Sequence, residues 1–144
     1  MRLPDLTAPL AFLGAWLRAP LATAAVAPSS EQLARLMMRE LPYQARRVIE
    51  LGGGTGVFTQ ALLERGVAPD DLLVLELNED LHQHLQRRFP ALRVVCGDAR
   101  ALQEIAHDSG FAAGGKADAV VSGLGLLAMD ATLQRAIVGA AFAC

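Results

Sequence analysis

Three acidic residues and a cluster of glycines carry the chemistry of this 144-residue chain. Glu50 precedes a glycine-rich loop, GGGTG, at residues 52–56, while Glu76 ends the next apolar run and Asp98 follows the third. Glycine lets a backbone turn sharply and lets a ligand approach it closely. Carboxylates accept hydrogen bonds from hydroxyl and amino groups. These residue types in this order predict a nucleotide-binding site.

The spacing of the glycines distinguishes between nucleotides. In the dinucleotide fingerprint G-x-G-x-x-G, a pyrophosphate lies on a helix N-terminus. Counted from Gly52 and Gly54, the third glycine of that fingerprint would fall on Val57, whereas here it is Gly56. In addition, Glu50 would place negative charge beside a bound pyrophosphate, which is repulsive. The same charge favours a ligand with an ammonium and a sulfonium, so the pattern favours S-adenosylmethionine (SAM) over NAD.

The other two acids suit the same ligand. Glu76 lies 20 residues after Gly56, where an acid can accept hydrogen bonds from both ribose hydroxyls. Asp98 could accept one from the adenine amino group. Taken alone, Glu76 could be a solvated strand end and Asp98 a helix N-cap. The predicted cofactor-binding residues are Glu50, Gly52, Gly54, Thr55, Gly56, Glu76, Asp98, Ala99 and Ser122. A turn residue is the alternative role for Ser122, and the pattern identifies neither a metal ligand nor a catalytic residue.

Alternating strands and helices must position these residues. The periodicity predicts strands at 47–51, 72–77, 92–96 and 117–122, and helices at 55–65, 79–89, 99–107 and 130–142. A flexible loop is expected at 109–116. An earlier helix begins at Ser29, since SSEQ has the spacing of a capping box, and ends at Pro42.

This order of elements predicts an α/β fold, a Rossmann-like doubly wound parallel sheet. In such a sheet the three acids meet at the carboxyl ends of consecutive strands, where ligands bind. Because the chain stops on a helix after four strands, we expect the sheet to be truncated on its C-terminal side. The edge left exposed could pair with another chain in a homo-oligomer.

Composition narrows the possible partners. With 53% hydrophobic and 19% charged residues, the chain should be folded and globular. A net charge of −2 and a pI of about 5.9 make nucleic acid an unlikely partner. Cys96 and Cys144 form no disulfide framework, which fits a reducing, cytoplasmic compartment.

Residues 1–28 form an apolar N-terminal segment, which we separate from a cofactor-binding domain at 29–144. Its apolar run is 12 residues long before Arg18 interrupts it, too short to span a bilayer. One interpretation is a helix that packs on the domain. The other is a helix in a membrane interface, carrying Phe12 and Trp16 on its apolar face. A signal peptide is a third and weaker alternative.

Four motifs resemble those of class I SAM-dependent methyltransferases. They are ELGGGTG, the acid in LLVLELN, the GDA of residues 97–99, and VVSGLGLL. The combination of AWLRAP, AVAPSS, VIELGGGTGVFTQALLERG and ADAVVSGLGLL is closer still to bacterial phospholipid N-methyltransferases, which are related to the rRNA adenine dimethyltransferases. This resemblance covers about residues 12–142. It implies methylation of phosphatidylethanolamine at a membrane surface. The chain departs from that family at Gly125, where the family usually has proline, and in the family's further strands.

The loop at residues 122–127, SGLGLL, bears on the methyl acceptor. It lacks the Asn or Asp, prolines and aromatic with which nucleic-acid amino methyltransferases clamp a flipped base. Together with the apolar N-terminus this favours a lipid. Methylation of rRNA adenine or of a small molecule, and a non-catalytic SAM-binding module, stay open as alternatives. The protein is expected to be cytoplasmic, and peripheral on the inner face of the cytoplasmic membrane if its substrate is a lipid. Tyr43, the single tyrosine, could face the pocket or lie on the surface.

Overall fold

Four parallel strands form one sheet in the computed structural model, which describes residues 30–124 and 130–144. They are β1 (Val48–Leu51), β2 (Leu72–Glu76), β3 (Arg93–Cys96) and β4 (Ala119–Ser122), in the order β3-β2-β1-β4. The register places Val48 opposite Leu72 of β2 and opposite Ala119 of β4. Parallel strands in this order bring all four carboxyl ends to one edge of the sheet, so the predicted Rossmann-like architecture is confirmed.

Five α-helices accompany the sheet within these ranges. They are α1 (Ser30–Glu40), α2 (Val57–Glu64), α3 (Glu79–Arg88), α4 (Leu102–Asp108) and α5 (Ala131–Ala143). Short 3-10 helices lie at Pro69–Asp71, Ala99–Ala101 and Phe111–Gly114. None of the helices in the described ranges is long and apolar enough to cross a bilayer. The predicted segment 1–28, the capping residue Ser29 and the divergent Gly125 lie outside the described residues.

Two predicted segments differ from the structure. The helix expected at 99–107 begins as a 3-10 turn and becomes α-helical only from Leu102. The flexible loop expected at 109–116 contains the 3-10 helix Phe111–Gly114. Phe111 is 2% exposed, so burial of its ring fixes a segment that its glycines and polar residues had marked as a loop.

The strands are covered on both faces, which explains their nearly continuous apolar sequences. On one face α1, α2 and α3 pack against residues that include Val48, Val74 and Val121. On the other face α4 and α5 pack against residues that include Ile49 and Leu75. The sheet is therefore buried between two layers of helices, and the loops that follow each strand begin at its carboxyl edge.

Arg47 anchors the opposite, amino edge. Its Nη1 donates to Asp71 Oδ1 at 2.8 Å, and its Nη2 donates to the carbonyl oxygens of Phe111 and Gly115. The guanidinium lies 4.2 Å from the centroid of the Phe111 ring. Asp118 Oδ2 accepts the backbone N–H of Arg47 at 2.8 Å. These contacts join the starts of β1, β2 and β4 far from the predicted site.

Candidate cofactor site

The glycine loop between β1 and α2 is held against β2 on its inner side and is open on its outer side. The N–H groups of Gly52 and Gly53 both donate to the Leu75 carbonyl, at 2.8 and 3.0 Å. A β carbon on Gly53 would lie 2.6 Å from Val74 Cγ1, so the backbone lies directly on the sheet. Gly54 has a φ of +55°, and a β carbon there would meet nothing within 4 Å. The loop thus offers bare backbone at the carboxyl edge, as a ligand-binding loop requires.

Glu76, the last residue of β2, joins the glycine loop to the start of α3. Its Oε2 accepts the Gly54 N–H at 2.8 Å, and its Oε1 accepts the Asn78 N–H at 2.9 Å. The residue is 8% exposed. A carboxylate offers about four lone-pair sites, so each oxygen keeps capacity for a further donor such as a hydroxyl.

Glu50 is completely buried at the root of the loop. Thr59, in the first turn of α2, donates its hydroxyl to Glu50 Oε2 at 2.6 Å, while Oε1 has no partner among the described residues. Burial raises the pKa of Glu50 to about 8. The hydrogen bond from Thr59 acts against this rise, and the charge of Glu76 adds to it. At neutral pH Glu50 is therefore mostly protonated, and Glu76 is the better source of negative charge beside the loop.

Asp98 caps the 3-10 helix after β3, so the N-cap role considered from sequence is confirmed. Its Oδ1 accepts the Arg100 N–H at 2.8 Å, and the Arg100 guanidinium donates to both carboxylate oxygens, with Nη2 2.6 Å from Oδ2. The Arg100 side chain, and then its backbone N–H, lower the pKa of Asp98 below its usual range. A third of the Asp98 side chain is exposed, so an acceptor face remains open to a ligand.

A cavity of about 270 Å³ lies beside these residues at the carboxyl edge. Its lining includes Gly52, Leu77, Asp98, Ala99, Leu124 and Ile137. Leu77 follows Glu76 directly and is 66% exposed, an unusual position for a large apolar side chain unless something packs on it. The volume is below that of most pockets enclosing a whole ligand, so it suits one part of a nucleotide, such as a base between apolar side chains. A second cavity, of about 290 Å³ beside Phe111 and Lys116, contains none of the predicted residues.

The remaining predicted residues lie around this edge with different roles. Thr55 is exposed at the tip of the loop, and its carbonyl accepts a hydrogen bond from Arg88. Ser122 ends β4 opposite Leu51, and its hydroxyl accepts the Leu124 N–H at 3.2 Å, as the turn interpretation expects. Tyr43 is 96% exposed in the segment before β1, hence on the amino side of the sheet, and does not face the cavity.

Four residues at this site were missed from sequence. The role of Thr59 could have been predicted, because the third residue of the helix after the loop faces the sheet. Leu77 and Arg88 had no such signal, since their importance comes from contacts made only in the folded chain. Arg100 lies two residues after Asp98, but that spacing alone does not predict its ion pair.

Comparisons with known proteins identify relatives of this chain by sequence and by fold. No family model matches the sequence. The ornithine lipid N-methyltransferase of Singulisphaera acidiphila is 40% identical over 129 residues, which cover 86% of this chain and 65% of that protein. The ribosomal RNA small subunit methyltransferase A of Burkholderia lata is 42% identical over 62 residues, 42% of this chain and 22% of that protein. The chain thus spans less than two thirds of the length of these curated relatives.

Two solved structures share the fold. One is the SAM-bound amino pentose methyltransferase CalS10 from Micromonospora echinaspora, with a TM-score of 0.57, 22% identity, and coverage of 99% of this chain and 53% of that one. The other is the glycopeptide N-methyltransferase MtfA complexed with S-adenosyl-L-homocysteine, with a TM-score of 0.58, 22% identity, and coverage of 99% and 56%. Sequence relatives, sheet order and the acidic glycine-loop site lead to the same assignment: the chain belongs to the class I SAM-dependent methyltransferases.

Proposed function

We propose that this chain binds SAM at the carboxyl edge of its sheet and serves the N-methylation of an amine-bearing membrane lipid. The observation that carries the first part is Glu76, an acid at the end of β2 whose two oxygens hold the glycine loop and the start of α3. This places a carboxylate between bare loop backbone and an apolar cavity. A nucleoside needs a carboxylate to accept hydrogen bonds from its ribose hydroxyls and an apolar cavity to hold its base.

The charges at the edge favour a cationic nucleoside over a dinucleotide. Neither Glu50 nor Glu76 has a Lys or Arg partner in the part of the chain that the structure describes. Arg100, which lines the cavity, is already paired with Asp98. A pyrophosphate would meet the Glu76 carboxylate, and the cationic residue in the cavity lining, Arg100, is already neutralised by Asp98, whereas a ligand with positive charge would be attracted.

Each side chain has a task in this proposal. Glu76 would accept the ribose hydroxyls, and Asp98 would accept the adenine amino group. Leu77 and Ala99 would pack on the base and exclude water from it. The open backbone at Gly54 would let the amino acid part of the ligand approach. Bound SAM supplies a methyl group on a positively charged sulfur, and holding the acceptor in line with it provides most of the rate.

Three observations support a lipid amine as the methyl acceptor. A relative that matches 86% of this chain carries the name ornithine lipid N-methyltransferase. The sequence resembles phospholipid N-methyltransferases, for which phosphatidylethanolamine is the expected acceptor. The acidic pI disfavours RNA. Both lipids carry a primary amine, so we propose a lipid amine as the shared chemistry, on the inner face of the cytoplasmic membrane. The alternative of rRNA adenine has support from the shorter match to methyltransferase A.

Calorimetry with SAM, with NAD as the control ligand, tests the cofactor. We expect heat and thermal stabilisation with SAM alone, and a chain that binds neither ligand, or NAD only, would overturn the proposal. Methyl transfer is then tested with radiolabelled SAM and vesicles of phosphatidylcholine that contain either phosphatidylethanolamine or ornithine lipid. Label in either amine lipid supports the lipid acceptor. Label in added rRNA and not in lipid would favour the alternative.

We also propose that the chain forms a homo-oligomer through the exposed edge of its sheet. Sedimentation equilibrium of the chain across a range of concentrations would test it. A monomer at every concentration would refute pairing through the exposed sheet edge.

A further inference from the structure

The tip of the glycine loop contacts the end of α3 as well as the helix that follows it. Arg88 Nη1 donates to the Thr55 carbonyl at 2.8 Å. Next to it, Gly56 has a φ of +92°, and a β carbon there would lie 2.7 Å from Cε2 of Phe89. The loop backbone therefore rests on the Phe89 ring while Arg88 holds the neighbouring carbonyl.

Arg88 itself is fixed by more than this hydrogen bond. Its guanidinium lies 5.0 Å from the centroid of the Phe89 ring, within the range of a cation–π contact. Phe89 is 8% exposed and belongs to the core cluster on this face of the sheet. Because the ring is anchored in the core, it orients the arginine toward the loop.

We propose that Arg88 is a positioning residue of the cofactor loop. By holding the Thr55 carbonyl, it keeps the loop from lifting off Phe89 and so preserves the open backbone at Gly54. This inference rests on the proposed function, because SAM is the ligand whose affinity reports on the loop.

The charge of Arg88 makes the test sharp, because charge and anchoring act in opposite directions. A cation near the site opposes binding of a positively charged ligand. If Arg88 acted only through its charge, removing that charge would tighten SAM binding. If it anchors the loop, the same change weakens binding.

Arg87 provides a matched control. It is exposed in the same last turn of α3, and neither a hydrogen bond nor an ion pair of its side chain is seen in the described part of the chain. Arg87→Gln and Arg88→Gln therefore remove equal charge from the same helix end. For Arg88→Gln we expect SAM affinity to fall about fivefold, as for one solvent-exposed hydrogen bond of ordinary strength. Arg88→Lys, which keeps a donor, should recover part of this loss, and Arg87→Gln should bind as tightly as the parent chain or more so.

Hydrogen exchange of the loop amides separates failure of this inference from failure of the proposed function. Residues 54–56 should exchange faster in Arg88→Gln than in Arg87→Gln, while the β2 amides should be equally protected in both. Equal loop exchange, or SAM binding by Arg88→Gln that matches Arg87→Gln, would overturn the inference. If the parent chain binds no SAM, the cofactor proposal fails, and the exchange rates still decide whether Arg88 holds the loop.

Discussion

The stability of the Glu50→Gln variant, relative to the parent chain, should rise with pH. The Glu50 side chain is 0% exposed, and burial raises its pKa to about 8. Glutamine has nearly the same shape and keeps an oxygen for the Thr59 hydroxyl, which lies 2.6 Å from Glu50 Oε2. It has no charge to bury. The amide itself changes the free energy of unfolding by an amount that does not depend on pH. The quantity to measure is therefore the slope, against pH, of the stability difference between the variant and the parent chain.

The sign and size follow from proton linkage. An unfolded glutamate loses its proton near its ordinary pKa of 4.5, whereas the folded one holds it up to about pH 8. The stability that Glu50 contributes is therefore fully present below pH 4.5 and is lost as the pH rises toward 8. The limiting slope is about 1.4 kcal/mol per pH unit. The advantage of Glu50→Gln should thus be about 3 to 4 kcal/mol larger at pH 8 than at pH 5.

Urea unfolding followed by circular dichroism at pH 5, 6, 7 and 8 measures this difference. Glu64→Gln is the control, because Glu64 is an exposed acid on α2 and its substitution removes one surface charge. After subtraction of that control, a difference between the parent chain and Glu50→Gln that stays constant from pH 5 to 8 would refute the reasoning. It would mean that the carboxyl ionises in the folded protein without an energetic penalty.

Four further substitutions test the loop and the amino edge. Glu76→Gln should weaken SAM binding about 10- to 100-fold by calorimetry, since it removes a charged acceptor; unchanged affinity would refute the ribose assignment. Gly53→Ala should lower the free energy of unfolding by about 1 to 3 kcal/mol through its clash with the sheet. Gly54→Ala should lower the free energy of unfolding by only about 1 to 2 kcal/mol, because of its left-handed backbone. It should nevertheless weaken SAM binding more than Gly53→Ala does, and weaker binding by Gly53→Ala in calorimetry would contradict the open-loop geometry. Arg47→Met should lower the free energy of unfolding by about 1 to 3 kcal/mol, because it leaves Asp71 and the Phe111 carbonyl without their donor. A change below about 0.5 kcal/mol in urea unfolding would contradict the anchoring role.

The sheet was predictable because its signals are local and repeated. Each strand is a short apolar run bounded by glycine, proline or polar residues, and each boundary was placed within one or two residues. The positions of Glu76 and Asp98 at the carboxyl ends then followed from topology alone. The 3-10 helices at Ala99–Ala101 and Phe111–Gly114 did not follow, because both depend on side chains that pack from elsewhere in the chain.

The contacts of the charged residues were the least predictable part of the site. Arg88 and Arg100 both lie on short polar segments where an exposed arginine is the ordinary expectation. The partner of Arg88 is determined by where the chain folds back, since Thr55 lies 33 residues away in sequence. Arg100 pairs with Asp98, only two residues before it, but a polar segment does not by itself predict that ion pair. The ionisation state of Glu50 was equally hidden, since sequence showed an acid among apolar neighbours but not that one of its oxygens has no partner within the described ranges.

The buried acid itself argues that this edge of the sheet was selected for binding. In register, Glu50 lies between Val74 of β2 and Val121 of β4, so its position faces a layer that is otherwise apolar. An apolar residue there would avoid the burial penalty, and natural sequences break such local rules mainly at functional sites. Glu50 breaks the rule two residues before Gly52, where the chain leaves the sheet to form the open loop. A nearby positive ligand would offset the burial penalty and favour the ionised acid. Glu50 therefore carries the negative charge from which the sequence predicted SAM only when a cationic ligand is bound. In the free protein, Glu76 is the better source of negative charge.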